Sequence, residues 1–193
     1  MDLIKERIED SIDVKTKILN SSEMIDCIER ASKAVITSLS SRGKVLLCGN
    51  GGSASDAMHI AGELVGRFQK ERTSLPAIAL NGDVTSMTSV ANDYGYERVF
   101  ERFVEGFMSP GDVLIGISTS GNSENVYRAL LRAKEMGETT IALLGKGGGK
   151  IKDVADISII VPSDNTARIQ ESHIMIGHII CEIAEDAYVN GWK

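Results

Sequence analysis

The sequence predicts an α/β fold with a doubly wound, five-stranded parallel sheet, an N-terminal helical pair and a long C-terminal helix. Three observations carry this. Five short apolar runs recur at 44–48, 76–80, 112–117, 139–144 and 156–161, and their continuous apolarity suits strands covered on both faces. Patterns of helical period separate them, and strand–helix alternation specifies βαβ units. Small-residue turns follow the first and third runs, at the carboxyl ends of strands, where open α/β sheets bind ligands.

The elements follow in order. Residues 3–19 carry Ile4, Ile8, Ile12, Ile18 and Leu19 at near-helical spacing. Ser21 or Ser22 caps a second helix with Met24, Ile25, Ile28, Val35, Ile36 and Leu39, ending near Gly43. Residues 1–42 thus form a helical extension that packs on the domain or on a second subunit, and 43–193 form the α/β core and last helix. The whole chain, 1–193, reads as one domain. Segment 168–188 is one helix whose apolar residues, from Ile169 to Ala187, wrap most of its circumference. Such a helix is buried, here in a subunit interface. The run Gly145-Lys146-Gly147-Gly148-Gly149 reads as a strand-to-helix turn.

Bulk properties narrow the function. The chain is 42% hydrophobic and 25% charged, ordinary for a soluble globular protein. A net charge of −6 argues against nucleic-acid binding, which draws its affinity from Lys and Arg on phosphates. The start mixes both signs of charge and does not read as a secretion signal. No uncharged apolar run approaches the roughly 18 residues of a membrane span. Cys27, Cys48 and Cys181 match no metal spacing and fit free thiols in a reducing compartment. A cytoplasmic location is expected.

Two loops invite phosphate: Gly49-Asn50-Gly51-Gly52-Ser53-Ala54-Ser55 and Ser118-Thr119-Ser120-Gly121-Asn122-Ser123. Small residues let backbone N–H groups approach an anion. Hydroxyls add donors, and the following helix N-terminus adds unpaired N–H groups and its positive dipole end. The first loop is neither the Walker GxxxxGK(S/T) nor a GxGxxG dinucleotide fingerprint. The same residues also serve simply to turn a chain, but two such loops at one sheet edge favour the anion.

His59 and Glu63 stand i,i+4 on the helix after the first loop and face one way. Gln170 and His178 lie on the last helix. A His–Glu pair at this spacing is either a plain polar helix face or a metal pair, and with Gln170 and His178 it can form a site for zinc or a similar ion. Gln170 and His178 are roughly 12 Å apart in rise and about 80° apart around the axis. One ion meets both only if side chains lean or the helix deforms near Gly177; otherwise the ligands come from two chains.

Cys48-Gly49-Asn50-Gly51-Gly52-Ser53, Asp56-Ala57-Met58-His59, Asn92-Asp93-Tyr94-Gly95, the phosphate loop, and Ala167-Arg168-Ile169-Gln170-Glu171 with His173 and His178 resemble the bacterial phosphoheptose isomerase family of SIS (sugar isomerase) domains. The resemblance implies a flavodoxin-like five-stranded sheet and a homotetramer with active sites at subunit boundaries. It implies one zinc per subunit at His59, Glu63, Gln170 and His178. Glu63 and His178 take the acid/base roles. Asn50, Gly51, Gly52, Glu63, Asn92, Asp93, Ser118, Thr119, Ser120, Ser123 and Gln170 contact a phosphorylated heptose. Asn92 and Asp93 read otherwise as a turn before Gly95, Arg67 as an exposed arginine after a helix, and His173 as a structural histidine.

The implied activity converts sedoheptulose 7-phosphate to D-glycero-D-manno-heptose 7-phosphate, for heptose in lipopolysaccharide or capsule. The competing reading is a non-catalytic SIS phosphosugar-binding module, such as a replication-initiator-associating protein. Such a module has no need of the quartet at 59, 63, 170 and 178.

Overall fold

The structure is a computed structural model describing residues 2–192. Met1 and Lys193, the ends of the expected domain, lie outside the described residues. Two helices open the chain: α1 (Asp2–Leu19) and α2 (Ser22–Ser40). Then come β1 (Val45–Gly49), α3 (Gly52–Val65), β2 (Ala77–Ala79), α4 (Val84–Tyr94), α5 (Val99–Phe107), β3 (Val113–Ser118) and α6 (Glu124–Glu135). The chain ends with β4 (Thr139–Leu144), β5 (Ile157–Ile160) and α7 (Thr166–Val189). The strands pair in parallel in the order β2-β1-β3-β4-β5. This is the flavodoxin-like order, in which the chain switches direction across the sheet between β1 and β3.

The strands are buried on both faces. Along β1, Val45 and Leu47 pack with the helices of one layer, while Leu46 and Cys48 pack with the other, as a period of two requires. The first layer holds α1, α2, α3 and α7; the second holds α5 and α6, with α4 at its margin. Among the described residues no helix is long and apolar enough to cross a membrane.

Caps mark the helix starts. The Ser21 side chain accepts the Met24 N–H at 3.3 Å, Asp83 accepts that of Ser86 at 3.0 Å, and Asn165 accepts that of Ala167 at 3.0 Å. Asn165 starts α7 two residues earlier than the apolar pattern indicates. In α1 only Val14 and Ile18 are buried, and the predicted stripe at Ile4, Ile8, Ile12 and Leu19 faces solvent.

Two expectations are corrected. The glycine run at 145–149 does not lead into an α-helix: the β4–β5 connection holds only short 3-10 turns, Lys146–Gly148 and Ile151–Asp153. Three consecutive glycines at positive φ break helical geometry there. Asn92 and Asp93 sit in the last turn of α4 rather than in a loop, because the Asp83 cap starts a helix that runs until Gly95 ends it at φ 92.

Candidate functional site

The two small-residue loops leave neighbouring strands, since β1 pairs with β3 from Val45↔Val113 to Gly49↔Ile117. They therefore meet at the carboxyl edge, at the switch point. Ser118 is buried, and its hydroxyl lies 2.9 Å from that of Ser123. Ser123 is the N-cap of α6 but makes no side-chain cap bond. Gly51 caps α3, likewise without one. Both helix N-termini thus lie at the same edge without a side-chain cap from the N-cap residue.

The phosphate-type loop is tightly held. Gly121 has φ +65, and a Cβ added there would collide with the Gly148 carbonyl oxygen. Ser120 Oγ accepts the Asn122 N–H at 3.2 Å, and Asn122 Oδ1 accepts the Lys150 N–H at 3.1 Å. The first loop and the start of α6 are joined by a reciprocal amide pair. Asn50 donates to Asn125 Oδ1 at 2.8 Å, and Asn125 donates back to Asn50 Oδ1 at 2.9 Å. The Tyr96 hydroxyl adds a third bond to Asn50 Oδ1 at 3.0 Å. The Asn50 side chain is thus engaged within the protein. Beside it opens a cavity of about 370 Å³ between the first loop and α4, lined among others by Asn50, Gly51, Met58, Met87 and Tyr96.

Helices α3 and α7 run side by side in the same direction. Gln170 lies against Gly52, its amide filling the place where a Cβ would stand, and Gly177 lies against Ile60. This register brings three predicted residues together. His59 Nε2 is 3.1 Å from Glu63 Oε1 and 3.4 Å from His178 Nε2. Ligand atoms of all three lie within 4.8 Å of one another. Donors around a tetrahedral ion at about 2.1 Å sit about 3.4 Å apart, so this spacing fits zinc. Gln170 is not brought in: Gly52 is seven residues before His59, roughly 10 Å along α3.

Nearby, Asp56 has a buried Oδ2 with no hydrogen-bond partner among the described residues. Burial pushes its carboxyl up to about 6, against the pull of His59. His173 is fully buried and bonds the Leu144 carbonyl through Nε2 at 3.0 Å. Burial pushes its imidazole down to about 4, so it is neutral near pH 7 and donates that proton. Cys48 and Cys181 are pushed up to about 12 by burial and are inert thiols.

Other predicted residues stand apart. Asn92 donates to Asp93 at 2.8 Å, and both are exposed. Arg67 pairs only loosely with Glu71, at 3.8 Å on the surface. Lys146 takes a positive φ of 49.

A second constellation escapes sequence reasoning. Arg72 and Glu185 form an ion pair at 3.0 Å with side chains 1% exposed. The Arg72 guanidinium donates to the carbonyls of Glu63 and Leu64, each at 2.8 Å, capping the end of α3. Glu185 accepts the backbone N–H groups of Phe68, Gln69 and Lys70 at 2.7–2.9 Å. Burial opposes ionisation of Glu185, but these bonds and Arg72 outweigh it and hold its carboxyl below the usual range. The available signal is an acid set in the otherwise apolar face of Cys181, Ala184 and Tyr188.

Comparison with known proteins agrees with this geometry. The SIS domain family model matches residues 11–145. A phosphoheptose isomerase of Nitratiruptor sp. is 60% identical over 161 residues, covering 83% of this chain and 86% of that protein. The solved phosphoheptose isomerase of Neisseria gonorrhoeae superposes with a TM-score of 0.90 at 38% identity, covering 96% of this chain and 98% of that one. That of Francisella tularensis gives 0.91 at 40% identity, with 96% and 97% covered. With similarity running over nearly the whole length, and with the loops, switch point and His–Glu–His cluster in place, the chain belongs to the phosphoheptose isomerase family of SIS domains.

Proposed function

We propose that this protein is a ketose–aldose isomerase that converts sedoheptulose 7-phosphate to D-glycero-D-manno-heptose 7-phosphate, in the cytoplasm, supplying heptose for lipopolysaccharide or capsule. The observation that carries this reading is the convergence of His59, Glu63 and His178 on α3 and α7, with α3 rising from the first of the two small-residue loops. A binding module needs the helix ends but not the cluster.

The loop of Ser118, Thr119, Ser120 and Ser123 with the α6 N-terminus holds the phosphate. Asn50, Gly51 and Gly52 border the sugar, the first through its backbone because its side chain is engaged. Asn92 and Asp93 contact sugar hydroxyls. Glu63 takes the proton from carbon, and His178 serves the transfer at oxygen. His59, Glu63 and His178 would hold zinc, one per subunit, which would polarise the substrate carbonyl. With a metal bound, ligand and base roles would conflict at Glu63 unless its carboxylate changed position during turnover. Gln170 lies too far along α7 from His178 to share one ion within a chain. It lies against Gly52, at the sugar-bordering loop of its own chain, and would join the ion only from a second copy, at a subunit boundary of a homotetramer. Residues 1–193 act as one domain, with 1–42 as its helical extension.

The test incubates purified protein with sedoheptulose 7-phosphate, with and without a chelator, and follows aldose formation. Product is expected, and chelation suppresses it. Glu63→Gln loses at least ~10²-fold, the usual contribution of a positioned base, with an unchanged melting temperature. No product from untreated, metal-supplemented protein refutes the activity; near-normal turnover by the variant refutes the assignment of Glu63. Sedimentation reads the assembly directly.

A further inference from the structure

The His178 imidazole touches two rings. His59 meets it edge-on with centroids 5.0 Å apart, and Phe68 lies tilted against it at 5.4 Å. Both separations fall in the range of favourable aromatic pairs. His59 stands on a regular helix, but Phe68 belongs to the irregular segment between α3 and β2. Such a segment does not hold a side chain by its own backbone ladder. Here it is held from outside. The Phe68 N–H, with those of Gln69 and Lys70, donates to the Glu185 carboxylate, an anion seated in a row of backbone amides. Glu185 is in turn pinned by Arg72, whose other donors grip the end of α3 at Glu63 and Leu64.

Glu185 is seven residues, about two turns, beyond His178 on α7, and so lies on the same side of that helix. One buried charge pair thus fixes three things: the backbone of Glu63, the segment carrying Phe68, and the helix carrying His178. A surface ion pair would hold its partners loosely; this one is dry and bonded through every carboxylate oxygen. We propose that Phe68 is a positioning residue for His178, seated by the Glu185–Arg72 pair, its ring face setting the orientation in which the imidazole meets substrate. The inference rests on the role proposed for His178.

The test compares Phe68→Tyr, Phe68→Leu and Phe68→Ala, because deleting either buried charge strands the other and endangers folding. Phe68→Tyr is expected to keep kcat. Phe68→Leu refills the apolar volume without a flat ring, so it is expected to keep the melting temperature within a few degrees while kcat falls about tenfold and KM stays within about twofold, inside the ~10²-fold cost of a displaced group. Phe68→Ala is expected to do the same or worse. Independently of turnover, aromatic carbon–proton NMR of the protein, which has only three histidines, reads the ring of His178. Its signals are expected to be single and sharp in the unaltered protein and in Phe68→Tyr, and broadened by exchange or doubled in Phe68→Leu. Full kcat in Phe68→Leu, or unchanged His178 signals there, overturns the proposal. If the unaltered protein fails to isomerise the heptose phosphate, the functional reading falls, and the NMR comparison still decides whether Phe68 orders the imidazole.

Discussion

At the scale of single residues, two groups near the site, Asp56 and His173, pull stability in opposite directions. Asp56 has its carboxyl raised to about 6 by burial. The folded state therefore binds its proton more tightly than the unfolded chain does. That stabilisation is complete below pH 3.8 and is lost as pH rises through 6. His173 is lowered to about 4, so its contribution is complete above pH 6.5 and is lost as pH falls through 4. Between about pH 4 and 6 the two trends offset. Asp56→Asn should separate them. Above about pH 7 the variant is expected to be more stable by about 1 kcal/mol, a figure discounted because the carboxyl is partly solvated, or about 2–4 °C in melting temperature for a chain of this size. The gain disappears by about pH 4, and the variant then shows the His173 loss unmasked. Melting curves at about pH 8, 6 and 4 check this; a variant less stable than the parent at the alkaline end contradicts it.

At the scale of elements, the phosphate-type loop depends on one backbone position. Gly121 combines φ +65 with a direct approach to the backbone of Gly148 and Gly149. Gly121→Ala is expected to push the loop off the β4–β5 connection and misalign the α6 N-terminus. KM for the sugar phosphate should rise at least about tenfold, the scale of about 1.4 kcal/mol in binding, with kcat affected less. Steady-state kinetics read the split, and an unchanged KM argues against this loop as the anchor. The elements also show what sequence carries and what it omits. The strands are legible because runs such as Val113 to Ile117 are apolar without interruption. The β4–β5 connection is not, because glycine spacing signals a turn without specifying the element beyond it. Asn92 and Asp93 suggest a turn because Gly95 is conspicuous beside them, while the cap that extends a helix through them, Asp83, stands nine residues before Asn92.

At the scale of the molecule, spacing on one helix pairs His59 with Glu63, but their meeting with His178 depends on α3 and α7 lying parallel in a particular register. That register comes from tertiary packing of Gly177 on Ile60, which no local pattern encodes. The Arg72–Glu185 pair bridges 113 positions and is invisible in the sequence for the same reason. So is the Asn50–Asn125 pair, which spans 75. Local chemistry thus announces the parts of the site, and packing alone assembles them.

That amide pair makes a ruler of the sheet edge. It ties the start of α6, which follows the proposed phosphate loop, to the loop that opens α3, and α3 carries His59 and Glu63. On the proposed function, the distance from phosphate seat to reacting carbons would then be built into the frame rather than adjusted to each sugar. A ketose phosphate shorter by one carbon, seated by the same phosphate, presents its carbonyl roughly 1 Å short, and a misplacement of that size costs about 10²-fold. Comparing kcat/KM for sedoheptulose 7-phosphate with that for fructose 6-phosphate measures the gap; equal values would mean that the frame yields to its guest. On the proposed seating of the phosphate, the protein would select its sugar by carbon count.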